Sequence, residues 1–312
     1  MRRWWRRDDA ADGADTTDGG PPPAPTINPI FHDQPDGARV NARRKAMREA
    51  HGGAFPSALA CDRFFGYMVT PPGGRWAFRP NGKTATTRTL EVLFQLEFGH
   101  PNTAEGDVAF DLNPDGAAHR MTQAQVFRHL IERDEAEMPD DYLRRALYVV
   151  TVRDPAARAL SAFRYLCRAH AERHAQFLPE RLRMCAAVGF DWQRHPGTTE
   201  GFALFLRYLQ LSIEAGGTRP IDNHWVPQVR TIRPDLFAPD LIGRSEDMVP
   251  FFTALVDHLA RPGHAPDPRA LAARRSNVQG AAADTISLNA PEIRALLTAC
   301  YAEDYETFGY AI

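Results

Sequence analysis

Between residues 75 and 301 the chain alternates short apolar runs with segments whose apolar residues recur every three or four positions. The clearest run, Leu147-Tyr-Val-Val-Thr-Val152, is uncharged and rich in β-branched residues. It predicts a strand buried on both faces of a parallel sheet. Residues 75–78 predict another strand, bounded by Pro71-Pro-Gly-Gly74 before it and Pro80-Asn-Gly82 after it. A helix follows over 84–98, where Leu90, Leu93, Phe94 and Phe98 share a face and Gly99 suits the residue after the helix end. Residues 107–112 read as a strand and 122–133 as a helix with Val126, Phe127 and Leu130 toward the core. Further helices are predicted from about residue 156, over 201–215, 248–259 and 290–301, with a short strand at 240–242. This alternation places the chain in the α/β class, with a central parallel sheet flanked by helices.

The first 53 residues break that pattern. Residues 8–29 are rich in Asp, Gly and Pro and lack apolar periodicity. Residues 1–53 therefore read as a mostly disordered tail with a short basic helix at 38–50, and residues 54–312 as one α/β domain. The start, Met1-Arg-Arg-Trp-Trp-Arg-Arg7, is followed by Asp8 and Asp9, where a secretory signal would need an apolar stretch. A cytoplasmic location is expected, and the Arg/Trp segment is a candidate for contact with an anionic membrane surface. No apolar run reaches the ~18 residues of a membrane span. The net charge of −2 argues against a global nucleic-acid-binding surface. Cys61, Cys167, Cys185 and Cys300 form no CxxC pair and are expected to be free thiols.

Of 37 basic residues only two are lysines, Lys45 and Lys83. Lys83 lies where a strand turns directly into a helix, in Arg79-Pro-Asn-Gly-Lys-Thr-Ala-Thr-Thr-Arg88. The first amides of a helix lack internal partners and, with the helix dipole, favour an anion. Lys83 adds a compact charge, and Thr84, Thr86 and Thr87 add hydroxyls. The segment predicts a phosphate or sulfate cradle. Gly82-Lys83-Thr84 also fits the tail of the nucleotide-binding pattern GxxxxGK[ST], but Ala77 stands where its first glycine belongs. Asp111, at the end of the 107–112 strand, would be the metal ligand in that reading.

A second anion site is predicted at the end of strand 147–152. Ligands of open α/β sheets bind outside the carboxyl ends of strands, where Arg153 falls. Asp154 can cap the next helix and Pro155 suits its first turn. Ser161 lies about two helical turns further on.

These strings resemble the PAPS-dependent sulfotransferases, in particular the Golgi-type carbohydrate sulfotransferases and their bacterial relatives. Lys83-Thr-Ala-Thr-Thr resembles their 5′-phosphosulfate loop, and Arg153-Asp-Pro-x-x-Arg-x-x-Ser-Ala-Phe163 their 3′-phosphate motif. Asn223-His-Trp-Val-Pro-Gln228, Leu241-Ile-Gly-Arg-Ser-Glu-Asp247 and Tyr301-Ala-Glu-Asp-Tyr-Glu-Thr-Phe-Gly-Tyr310 resemble three later family segments. The resemblance spans about residues 65–310. It departs at Gly82, where family loops often carry proline, and at Thr86, where many carry cysteine. An anchor helix like the lumenal anchor of the Golgi enzymes is not expected here.

The resemblance implies a single P-loop-like α/β domain and sulfuryl transfer from PAPS to a hydroxyl of a glycan, glycolipid or related acceptor, without a metal. Lys83, Thr84, Ala85, Thr86, Thr87 and Arg88 would hold the phosphosulfate, and Arg153 and Ser161 the 3′-phosphate. Lys83 would also stabilise charge on the leaving group. A His or Glu base is implied after the second strand, and His119 is the first candidate, ahead of His100. His224 and Gln228 are candidates for acceptor binding, Glu246 for holding a loop, and Arg274 and Arg275 for contact with an anion. Two other readings stand beside this one: a P-loop ATP-dependent kinase, and a non-catalytic scaffold that retains a nucleotide site.

Overall fold

The structure, a computed structural model, describes residues 36–106, 112, 116–133, 137–216, 220–273 and 286–311. A five-stranded sheet of order β3-β1-β2-β4-β5 forms its centre. The strands are β1 (Val69–Thr70), β2 (Trp76–Arg79), β3 (Arg128–His129), β4 (Leu147–Val152) and β5 (Leu241–Arg244). β2, β4 and β5 are parallel, with Phe78 opposite Val149 and Val149 opposite Leu241. β1 runs antiparallel to both β2 and β3.

The sheet is therefore mixed, which corrects the expected parallel sheet. The cause is the length of the Pro71–Arg75 connection. A parallel crossover needs a dozen or more residues, and a few residues can only reverse the chain.

Side chains alternate across the strands with period 2. Ala77, Tyr148, Val150 and Val152 pack on one face with Met47, Phe64 and Phe65. These three come from α1 (Gly37–His51) and α2 (Ala58–Gly66). Trp76, Phe78 and Val149 pack on the other face with Leu93, Leu96 and Leu255. Those come from α3 (Thr86–Phe98) and α9 (Val249–Leu259). A third apolar cluster joins α5 (Pro155–Ala171), α6 (Leu178–Val188), α7 (Thr199–Glu214) and α11 (Pro291–Phe308) around Phe163, Phe205 and Trp225. Three short helices complete the described α-helices: α4 (Pro139–Arg145), α8 (Gln228–Ile232) and α10 (Pro268–Ala273).

Three expectations change. The domain extends ahead of residue 54: the helix expected at 38–50 is α1, which is capped by Asp36 and buries Val40, Arg43 and Met47. The helix expected at 122–133 is instead a turn, with Gln125 at a positive φ of 59°, followed by β3 and a 3-10 turn. Phe127 and Leu130 are still fully buried, so the apolar pattern marked core positions without marking a helix. The last helix continues past residue 301 to Phe308, through a kink at Tyr301. The expected strand at 107–112 lies outside the described residues except for Leu112, as do Asp111, Arg274, Arg275 and residues 1–35. Among the described residues, no helix is long and apolar enough to cross a membrane.

Candidate active site

The carboxyl ends of the parallel strands β2, β4 and β5 lie side by side, so the loops after Arg79, Val152 and Arg244 meet at one edge of the sheet. The first loop, Pro80–Ala85, is tight. Lys83 and Ala85 both adopt left-handed backbone, with φ of 67° and 64°, which delays the start of α3 to Thr86. Left-handed residues alternating with others turn successive N–H groups toward one concavity, the geometry of an anion nest.

The threonines were expected to donate hydroxyls to a ligand, and the structure gives them other work. Thr84 is fully buried, donates to the Asn81 carbonyl at 2.6 Å and lies 2.8 Å from the Thr151 hydroxyl. Thr86 donates to the same Asn81 carbonyl at 2.6 Å. A hydroxyl has a single proton, so these two fasten the loop and leave the backbone amides to face an anion. Arg88 points away from the cradle: Nε donates to the Leu271 carbonyl at 2.8 Å and Nη1 pairs with Glu91 at 2.7 Å.

One face of α5 completes the cradle. Arg158, Ser161 and Tyr165 follow one another at helical spacing and so share that face. The Lys83 ammonium lies 3.2 Å above the centre of the Tyr165 ring, a cation–π contact. Arg153 Nη1 is 3.4 Å from the Lys83 carbonyl. Lys83, Arg153 and the α5 face carrying Ser161 are thus brought together. Burial pulls the Arg153 guanidinium below its ordinary value, opposed by Glu246 and Asp154. It stays charged, as arginine does in proteins.

Beneath the cradle is a buried polar scaffold. Arg158 is completely buried and donates to four acceptors: the carbonyls of Gly82 (2.8 Å), Val226 (2.7 Å) and Asn223 (2.8 Å), and Asn81 Oδ1 (3.1 Å). It ties the cradle to the 223–228 segment. Their contact is close enough that a Cβ on Gly82 would meet the Asn223 carbonyl at 2.8 Å. That explains the small residue before Lys83. Gln228, a candidate for acceptor binding, is also fully buried. Its side-chain amide accepts from the Arg153 N–H at 3.0 Å and donates to the Arg153 carbonyl at 2.9 Å. It positions Arg153 and does not face an acceptor. Asp304 accepts from the Gln228 and Val229 amides, 2.8 and 2.9 Å away. Glu246 accepts from the Asp154 N–H at 2.8 Å and so holds the loop after β4, as expected for it.

Replacing Arg158 by methionine is expected to cost at least about 3 kcal/mol of folding stability, because four buried acceptors lose their donor. Urea unfolding of the two chains measures it. A loss below about 1 kcal/mol would remove Arg158 from the centre of the scaffold.

The three candidate histidines fall in different surroundings. His119 is exposed, on a 3-10 turn (Ala117–Arg120) anchored by buried Ala118 and Met121. Its Nε2 is 2.8 Å from the Thr87 hydroxyl on the first turn of α3. His224 is half-buried with Nδ1 2.7 Å from Asp222, and its ring packs near Tyr165 and Phe177. Burial pushes the Asp222 carboxyl up, but the His224 hydrogen bond and charge outweigh it and hold it below the usual carboxylate range. His100 packs its ring near Phe94 and Phe98 and makes one long contact with the adjacent Pro101 carbonyl, at 3.4 Å.

A cavity of about 430 Å³ opens beside the cradle, lined in part by Thr86, His119 and Asp222. The site thus offers a cationic nest, a cavity next to it, and an imidazole at their boundary. That arrangement suits transfer of an anionic group to a second molecule.

Residues 82–311 match the family model described as "Sulfotransferase family". The match begins at the cradle and extends through α11. No curated protein and no solved structure matches the chain.

Proposed function

The chain belongs to the sulfotransferase family, and from that premise we propose that it transfers a sulfuryl group from PAPS to a hydroxyl acceptor. The observation that carries this reading is the approach of Arg153 Nη1 to the Lys83 carbonyl at 3.4 Å. It gathers two cations and a helix N-terminus at one sheet edge, as a donor with two separate anionic groups requires. When bound, PAPS supplies an activated sulfuryl group whose leaving group is a phosphate.

The chain's own residues have distinct tasks. Lys83 and the first amides of α3 stabilise charge as it grows on the phosphate side. Arg153 presents a planar fork suited to a phosphate dianion, and Ser161 one hydroxyl. Gln228 fixes the backbone of Arg153 from both sides. His119, hydrogen-bonded to the cradle through Thr87, takes the proton of the acceptor hydroxyl. The cavity walls are largely apolar, which favours a glycolipid or a related compound over a bare glycan.

The kinase reading fits less well. Ala77 lies within β2, opposite Tyr148, so the loop that would need the first glycine does not begin there.

Calorimetry separates the readings. Adenosine 3′,5′-bisphosphate is expected to bind without Mg²⁺ and more tightly than ATP. Arg153→Ala should weaken it about ten- to a hundredfold, the worth of one or two charge-assisted hydrogen bonds, and leave adenosine 5′-phosphate little changed. Equal weakening of both nucleotides contradicts the role of Arg153, and ATP preference that needs Mg²⁺ contradicts the sulfotransferase reading.

A further inference from the structure

The cavity beside the cradle contains a buried cation that no described carboxylate neutralises. Arg79, the last residue of β2, lines this cavity and is only 5% exposed. Its Nε has no hydrogen-bond partner, and Nη1 makes one long contact, 3.3 Å, with the adjacent Pro80 carbonyl. The Tyr67 ring lies 5.8 Å from the guanidinium. Among the described residues no carboxylate pairs with it.

Other buried arginines have more acceptors: Arg43 and Arg181 each donate to at least two backbone carbonyls. Arg158 has four acceptors, Arg88 has Glu91 and a carbonyl, and Arg133 has Thr70 and the Pro71 carbonyl. Burying a charge without a partner is costly, so an unmatched guanidinium calls for an anion from outside the chain.

The surroundings define that anion's carrier. Arg63 and Arg230 line the same cavity. The one carboxylate among its described lining residues, Asp222, is engaged with His224. Much of the remaining wall is hydrocarbon and aromatic, from Phe64, Tyr67, Leu90, Met121, Phe127 and Ile213. Such walls leave the many hydroxyls of a sugar without partners and fit a hydrocarbon body. Burial pulls the Arg79 guanidinium down to about 10, still charged at neutral pH and ready to pair.

We propose that this cavity is the acceptor site and takes a hydroxylated compound with a hydrocarbon body and one anionic group, which Arg79 binds. The term acceptor rests on the sulfotransferase reading; the binding of such a compound does not.

The test uses the full chain without nucleotide, titrated by calorimetry with three probes: ω-hydroxydecanoate, α,ω-decanediol and glucuronate. The hydroxy acid is expected to bind at least about tenfold tighter than the diol, the scale of one charge-assisted hydrogen bond. It should also bind tighter than glucuronate, which carries the charge without the hydrocarbon. Arg79→Met should abolish the preference for the acid and leave the diol's affinity unchanged. Equal binding of acid and diol by the unaltered chain overturns the proposal, and needs no variant that might fail to fold. Tighter binding of glucuronate, or an undiminished preference in Arg79→Met, overturns it as well. Failure of the sulfotransferase reading would show separately, in the nucleotide titrations.

Discussion

Replacing Lys83 by alanine is expected to lower the turnover of sulfuryl transfer by about 10²- to 10³-fold, the usual cost of removing one preorganised donor from the site of developing charge. The geometry concentrates that role in this residue. The hydroxyls of Thr84 and Thr86 are occupied by the Asn81 carbonyl, so they cannot replace a missing ammonium. Arg88 is held by Leu271 and Glu91, away from the cradle. The Tyr165 ring under Lys83 fixes the ammonium and carries no donor that could substitute for it from its face. The loss should fall on kcat more than on nucleotide affinity, because the proposed role of Arg153 and Ser161 is to hold a different phosphate. Lys83→Arg should recover little, since a planar fork does not fill the place of a compact point charge. Release of adenosine 3′,5′-bisphosphate from the donor, with a hydroxyl acceptor that the unaltered chain sulfates, measures both variants. A kcat within a fewfold of the parent for Lys83→Ala would place the stabilising charge elsewhere.

The sequence made the cradle legible because it is built locally. Strand, turn, Lys83 and helix are contiguous, and each leaves a pattern in the residues themselves: the Pro-Asn-Gly turn, the threonine run and the apolar face of α3. The strand at 147–152 was equally plain, since burial on both faces writes a continuous apolar run. Other parts depend on contacts between distant segments. Arg158 appears in the sequence as one arginine among many; only folding shows that it binds carbonyls from residues 82, 223 and 226. Gln228 looks like a polar residue free for a ligand until the backbone of Arg153 closes on its amide. Spacing gave one usable hint. Arg158, Ser161 and Tyr165 lie on one helical face, and that face turns toward the loop that carries Lys83. Arg79 was hidden for the opposite reason. A strand residue between an apolar run and a turn is ordinarily solvated, and nothing local reveals that it is enclosed without a carboxylate.

The buried scaffold also accounts for why three remote segments accompany the two anion motifs. Asn81, Arg158, Gln228 and Asp304 form a chain of hydrogen bonds from the cradle through the loop after β4 to α11. Glu246 and Tyr310 fasten the other side of that loop, with Tyr310 donating to Glu246 at 3.1 Å. Burial, aided by the charge of Glu246, pushes the Tyr310 phenol above its ordinary range, so it stays protonated and able to donate. Low-dielectric networks of this kind are rigid when every member is satisfied. Rigid placement is what electrostatic stabilisation of a transition state needs.

His119→Ala is expected to reduce kcat by about 10²- to 10⁴-fold, the contribution of a positioned general base, while adenosine 3′,5′-bisphosphate binds as before. The argument is positional. His119 is the histidine that both lines the cavity and reaches the cradle, through Thr87 at 2.8 Å. His224 is committed to Asp222, and His100 lies past the far end of α3. An acceptor hydroxyl has the same donor and acceptor capacity as the Thr87 hydroxyl, so it can take the place of Thr87 against Nε2. Imidazole added to the buffer should restore part of the lost rate in His119→Ala, because the deleted ring leaves an exposed position that a free base can enter. A merely structural histidine would show no such rescue. Turnover near that of the unaltered chain, or a loss that imidazole leaves untouched and that tracks weaker nucleotide binding, would move the base to another residue of the cavity.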